Sequence, residues 1–160
     1  MEDILKEVGK RKGNKLLTII LGEPFSYEDY INAVESDPEV DLNQTGYGEA
    51  SLLQEAIKSE KYDIAMDLVR RKIDVDHQDR YGHTALLYLC SKPNNPQCIE
   101  LAELILKAGA NPDIKNNDGR TPLYLMVSNM NSNYMNSGVK YEMIQLLLRY
   151  GADKNLKCGR

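Results

Sequence analysis

Three stretches of the chain superpose on one glycine each. A chain that repeats itself in this way folds as a stack of similar units rather than around one central core. The stretches are Gly48-Glu49-Ala50-Ser51-Leu52-Leu53-Gln54-Glu55-Ala56, Gly82-His83-Thr84-Ala85-Leu86-Leu87-Tyr88-Leu89-Cys90 and Gly119-Arg120-Thr121-Pro122-Leu123-Tyr124-Leu125-Met126-Val127. A second landmark follows each of them: Leu68 to Asp76, then Ile105-Leu106-Lys107-Ala108-Gly109-Ala110-Asn111-Pro112-Asp113, then Leu147-Leu148-Arg149-Tyr150-Gly151-Ala152-Asp153-Lys154-Asn155. A fainter copy, Val40-Asp41-Leu42-Asn43, precedes the first glycine. The interval is 33 residues from Val40 to Ile73, 37 from Ile73 to Ala110 and 42 from Ala110 to Ala152. The surplus falls between intact landmarks, in Pro93-Asn94-Asn95-Pro96 and in the polar stretch 128–140, both loop-like in composition.

These paired landmarks resemble the ankyrin repeat, whose signature G-x-T-P-L-H-x-A is followed by L-L-x-x-G-A-D-x-N. The third unit carries the match through Gly119, Thr121, Pro122, Leu123, Leu147, Leu148, Gly151, Ala152, Asp153 and Asn155. The resemblance covers residues 40–156, and residues 13–43 more weakly. It implies an all-α solenoid of helix pairs joined by hairpin-like fingers, a single domain over 1–160. Its parts are an N-terminal cap with a degenerate repeat over 1–43, repeats over 44–77, 78–114 and 115–156, and a tail over 157–160.

Local chemistry agrees with that architecture. Thr84 and Thr121 stand where a helix start needs a side-chain oxygen, and Pro122 suits the first helical position. First helices are predicted over 50–58, 84–91 and 121–129, and second helices over 61–71, 97–107 and 140–149. Gly109 and Gly151 end second helices in the left-handed cap position, where Lys72 stands in the first unit. Ser26-Tyr27-Glu28-Asp29 reads as a capped, acidic helix start, so helices are expected over 26–35 and 15–21, with a further one over 2–11. No sequence for a capping helix pair follows the last unit, and its polar Tyr141, Glu142, Gln145 and Arg149 either soften that end or mark an oligomer contact.

Composition narrows the function. A net charge of -4 argues against wrapping a phosphate backbone, with one local exception in Lys6, Lys10, Arg11, Lys12 and Lys15. That cluster reads as a solvated face, and its alternative is a nucleic-acid or membrane-surface patch. Cys90, Cys98 and Cys158 are odd in number and form no C-x-x-C, which fits a reducing, cytoplasmic setting. The apolar run 16–21 is far too short for a membrane span.

No nucleophile elbow, zinc-protease helix or recognisable carboxylate pair is present in the sequence, so no enzyme activity and no cofactor are expected. Gly9-Lys10-Arg11-Lys12-Gly13-Asn14-Lys15 fails as a phosphate loop on spacing and lacks a Ser/Thr. The densest candidate for a metal is Asp74, Asp76, His77, Asp79 and His83, which also reads as ordinary finger residues; no metal site is assigned. The resemblance implies instead a partner protein held on the finger tips and the exposed side of the first helices. Carried over position by position, that surface is Tyr47, Glu49, Arg80, Tyr81, His83, Asp118, Arg120 and Tyr124. Leu87 and Tyr124 replace the family's common His on the first helix, which normally braces the finger. With that His absent, the local hydrogen-bonding scheme is left open.

Overall fold

The computed structural model describes residues 15–22, 26–37, 39–91, 93, 95–128 and 137–155. The expected helix over 2–11, the basic residues Lys6, Lys10, Arg11 and Lys12, Pro38, Cys158 and the middle of the 128–140 stretch lie outside the described residues. Eight α-helices lie within them and no strand does; one isolated bridge joins Thr45 and Ser51. The chain divides into two compact units, Met1–Ile73 and Asp74–Arg160.

The first unit holds α1 (Lys15–Leu21), α2 (Tyr27–Glu35), α3 (Leu52–Lys58) and α4 (Tyr62–Arg70). None exceeds nine residues, a length marginal in water, so packing supplies the stability. α1 lies against α2 and α3, and α4 lies against α3 and α2. Leu16, Leu17, Ile20, Tyr30, Leu52, Leu53, Ile64 and Leu68 fill the space between them and are buried. Ser26 caps α2 through the Asp29 N–H at 3.1 Å, as its sequence predicts. Ser51 and Gln54 form a reciprocal capping box at the start of α3. Lys61 donates its ammonium to the carbonyls of Ile20 (2.8 Å) and Gly22 (3.3 Å), satisfying acceptors that the end of α1 leaves unpaired. Burial, then the Asp67 carboxylate that accepts its hydroxyl at 2.9 Å, pushes the Tyr30 phenol well above its usual range. Arg71 donates to the same carboxylate oxygen at 2.6 Å, which raises its own value.

The second unit holds α5 (Ala85–Ser91), α6 (Gln97–Lys107), α7 (Pro122–Ser128) and α8 (Ser137–Arg149). α7 stacks on α5 and α8 on α6, while α5–α6 and α7–α8 form the two helix pairs. Leu86, Leu87, Leu89, Leu101, Ala102, Ile105, Met126, Met143 and Leu147 make up the core. Cys90 is buried within it, which raises its thiol pKa far above the usual range. Thr84 and Thr121 accept from the N–H groups of Leu87 (3.3 Å) and Tyr124 (3.2 Å), and Pro122 is the first residue of α7. Gly109 and Gly151 take φ of 99° and 88°, and Lys72 takes 61° without the glycine. α8 begins at Ser137, three residues before the expected start at 140.

The first finger corrects the glycine-based superposition by one residue. Gly82 N donates to Asp79 O and Gly119 N to Asn116 O; the matching bond in the first unit is Glu49 N to Gly46 O. Likewise Asp79 N to His83 O and Asn116 N to Arg120 O match Gly46 N to Ala50 O. Ser51, not Ala50, is therefore the counterpart of Thr84 and Thr121. Glu49, at φ 62°, stands in the left-handed position of Gly82 and Gly119, while Gly48 adds a second left-handed residue before it. The corrected interval from Glu49 to Gly82 is 33 residues, equal to that between Val40 and Ile73.

Candidate functional site

Each finger of the second unit is built around one buried side chain that supplements its few backbone bonds. In the first, the Asp79 carboxylate is almost wholly buried. Its Oδ1 accepts from the backbone N–H groups of Tyr81 (2.8 Å) and His83 (2.9 Å), and its Oδ2 accepts from the Tyr88 hydroxyl at 2.5 Å. Several donors converging on one carboxylate compensate for its burial. In the second, Asn116 Oδ1 accepts from the N–H groups of Asp118 and Arg120, both at 3.0 Å. A short acceptor side chain bonding backbone two residues onward is the Asx-turn, which fixes the turn shape locally.

Tyr88 is the brace that the sequence left unfilled. It lies one residue beyond Leu87, which points into the core instead. The His83 ring stacks obliquely on Tyr88, with centroids 5.2 Å apart, and meets Tyr81 at 6.4 Å. Asn116 approaches His83 Nε2 through Nδ2 at 3.2 Å. Because Asn116 Oδ1 is occupied by two N–H donors, its amide nitrogen faces the ring. An amide nitrogen can only donate, so Nε2 is the acceptor in this contact, and Nδ1 lies 3.9 Å from Asp79 Oδ1.

The two fingers are stapled to each other. Asn117 donates its backbone N–H to Tyr81 O (3.0 Å) and its amide to Arg80 O (2.9 Å). Gln78 donates to both Gly82 O (2.8 Å) and Lys115 O (3.0 Å). Below the tips a second ladder repeats. Asp76 accepts from Asn111 N at 3.1 Å through both oxygens, and Asp113 accepts from Asp153 N at 2.9 Å. Burial raises the Asp76 carboxyl above its ordinary range; the Asn111 N–H works against this and the neighbouring Asp74 charge adds to it.

Of the residues singled out by sequence, Arg80, Tyr81, Asp118 and Arg120 are exposed on the second unit's fingers, with Tyr81 56% exposed. His83 is half-buried and supports the finger rather than standing clear of it. Tyr124 is half-buried and lines a groove of about 300 Å³ with Leu123, Val127, Ile144 and Leu148. Tyr47 and Glu49 belong to the first unit, where both are exposed, Tyr47 at 76%. Asn116 and Asn117 were missed, and Asp79 was singled out only as a candidate metal ligand or ordinary finger residue. Their signal is an Asp or Asn three residues before the turn glycine, followed in one unit by a second Asn.

Asp74 and Asp76, from the candidate metal cluster, are engaged with backbone N–H groups, and Asp79 is committed to its finger. No group of three His, Cys, Asp or Glu among the described residues is placed to hold an ion. No helix among them is long and apolar enough to cross a membrane.

Helix pairs stacked through apolar faces, with stapled fingers projecting between them, define a solenoid of the kind that recognises other proteins. The family model for ankyrin repeats matches residues 52–158 in three copies, and the chain belongs to the ankyrin-repeat family. An ankyrin repeat protein of Rickettsia felis is 26% identical over 84% of this chain and 56% of its own length. One from Acanthamoeba polyphaga mimivirus is 33% identical over 90% of this chain but 24% of its own. The chain thus spans about half or less of these relatives. The crystal structure of an ankyrin repeat domain from Acinetobacter baumannii matches with a TM-score of 0.67 at 26% identity, covering 79% of this chain and 60% of that one. Ankyrin repeats are in general non-catalytic modules for protein–protein interaction.

Proposed function

We propose that the chain is a non-catalytic binding module that holds a partner protein, as an inhibitor or adaptor. The contact surface is the exposed finger residues Arg80, Tyr81, Asp118 and Arg120, together with Tyr124 and His83 beside them. Tyr47 and Glu49 serve the same role on the first unit's finger. The observation that carries this reading is the division of labour in the fingers. Asp79, Asn116 and Asn117 hold the backbone in one conformation, while Tyr81 and Arg80 keep their side chains in solvent. A rigid backbone bearing exposed Tyr and Arg loses little entropy on binding and presents the residue types that dominate interface energy. Two buried thiols, Cys90 and Cys98, favour a reducing compartment such as the cytoplasm.

The test is to capture the stoichiometric partner from a native lysate and measure its affinity for purified variants. Tyr81→Ala combined with Arg80→Ala should weaken the complex at least about tenfold with melting nearly unchanged. Unchanged affinity refutes the finger surface. Salt-sensitive retention on heparin would instead assign the chain to phosphate-bearing ligands through Lys6, Lys10, Arg11, Lys12 and Lys15.

A further inference from the structure

The outer side of α8 has a pattern that the finger surface does not use. On a helix of 3.6 residues per turn, Tyr141, Gln145 and Leu148 fall on one stripe. Met143, Leu146 and Leu147 occupy the opposite side, where they pack against the rest of the unit. Tyr141 is 64% exposed and Leu148 40% exposed. On one edge of the stripe, Ile144 joins Leu123, Tyr124 and Val127 of α7 around the groove, and Val127 is itself 49% exposed. On the other edge stand Glu142 and Arg149, seven residues apart and both exposed.

Seven residues is the repeat of packed helices, so Glu142 and Arg149 hold equivalent positions on the same edge with opposite charge. When two copies of such a helix pack antiparallel, residues of one edge meet residues of that same edge on the other copy. Glu142 then falls beside Arg149 of the second copy, and Arg149 beside Glu142, while Tyr141 falls beside Leu148. A parallel pairing would bring this edge against the opposite edge of the second copy, around Ile144, and would leave both charges without a partner across the interface. The charge order thus selects one orientation and makes the face complementary to itself, as a two-fold interface requires.

We propose that the outer side of α7 and α8 is the contact face of a two-fold homodimer, with α8 packed antiparallel on α8 of a second copy. The face is narrow, because α8 spans 13 residues, roughly 20 Å at 1.5 Å per residue. Dissociation constants on the order of micromolar suit an interface of that size. The exposed finger residues Arg80, Tyr81, Asp118 and Arg120 take no part in this face, but Tyr124 belongs to both surfaces.

The experiment is analytical ultracentrifugation of the full chain from about 1 to 500 μM, a range chosen to bracket that affinity. The expected result is a reversible monomer–dimer equilibrium. Leu148→Glu, Glu142→Arg and Arg149→Glu should each raise the dissociation constant about tenfold or more. The doubly swapped variant, Glu142→Arg with Arg149→Glu, restores complementarity and should return to within about threefold of the parent. That rescue separates a lost interface from a damaged fold, and thermal melts of each variant check the same point. A monomer throughout the range overturns the proposal, as does assembly growing beyond two copies. So does a dimer indifferent to the single substitutions, or a double swap no better than either single change.

Discussion

Gly82 and Glu49 at finger turns, and Gly109 and Lys72 at helix ends, adopt left-handed backbone at different cost. Gly82 has φ +73°, and a Cβ there would sit 2.6 Å from Asn117 Oδ1 and 2.8 Å from Asn117 N. Asn117 N is one of the two donors that staple one finger to the next, and Oδ1 belongs to the amide whose nitrogen is the other. Gly109, at φ +99°, has open space where its Cβ would be. Gly82→Ala should therefore cost about 3 kcal/mol, adding a steric clash to the conformational strain. Gly109→Ala should cost only the strain, about 1 kcal/mol. Lys72 and Glu49 already bear that strain, so Lys72→Gly should gain about 1 kcal/mol. Urea unfolding of the three variants checks the ranking, and equal losses for the two alanine variants would contradict the steric account. The finger adjacent to Gly82 should also loosen in Gly82→Ala, visible as faster amide exchange at Asn117.

Helix positions were largely legible because their ends carry local chemistry. Ser26, Thr84, Thr121 and Pro122 mark starts, and Gly109 and Gly151 mark ends, each through bonds to nearby backbone. The first finger was misread by one residue because two glycines flank Tyr47 and the signature favours a glycine at the turn. The capping-box pair Ser51 and Gln54 carries the correct register. The staples were not legible, since Asn117 and Arg80 are 37 residues apart and an Asn in a turn looks alike whether it faces solvent or another finger. The ladder through Asp76 offers a test at this scale. Its folded carboxyl holds a proton more tightly than the unfolded chain does, because burial disfavours the charge. Between the ordinary and the raised value, stability from this group rises as pH falls. Asp76→Asn keeps an acceptor for Asn111 N and removes the charge. It should match or exceed the parent stability at pH 7, and that advantage should shrink or reverse by about pH 4. Denaturant midpoints at both pH values measure the difference.

Across the whole molecule, two compact units of short helices make local opening the natural mode of unfolding, and a buried thiol reports it in the second unit. Cys90 is fully buried, and its raised pKa leaves almost no thiolate while the unit is closed. Only the thiolate reacts with alkylating reagents, so modification requires the unit to open first. When closing outpaces labelling, the observed rate scales with the equilibrium population of the open form. A loss of about 3 kcal/mol in Gly82→Ala then corresponds to about 100-fold faster labelling of Cys90. Gly109→Ala, costing about 1 kcal/mol, should accelerate it only about fivefold. Peptide-resolved mass spectrometry distinguishes Cys90 from Cys98 and Cys158 in each sample. Cys98 is also buried and lies in the same unit, on α6. If the unit opens as one cooperative piece, both buried thiols should accelerate by the same factor in each variant. If the finger between Asp79 and His83 opens without the helices, amide exchange there should rise while both thiols stay protected. The labelling ratio therefore decides whether the stapled finger is part of the unit's cooperative core or a rigid attachment to it.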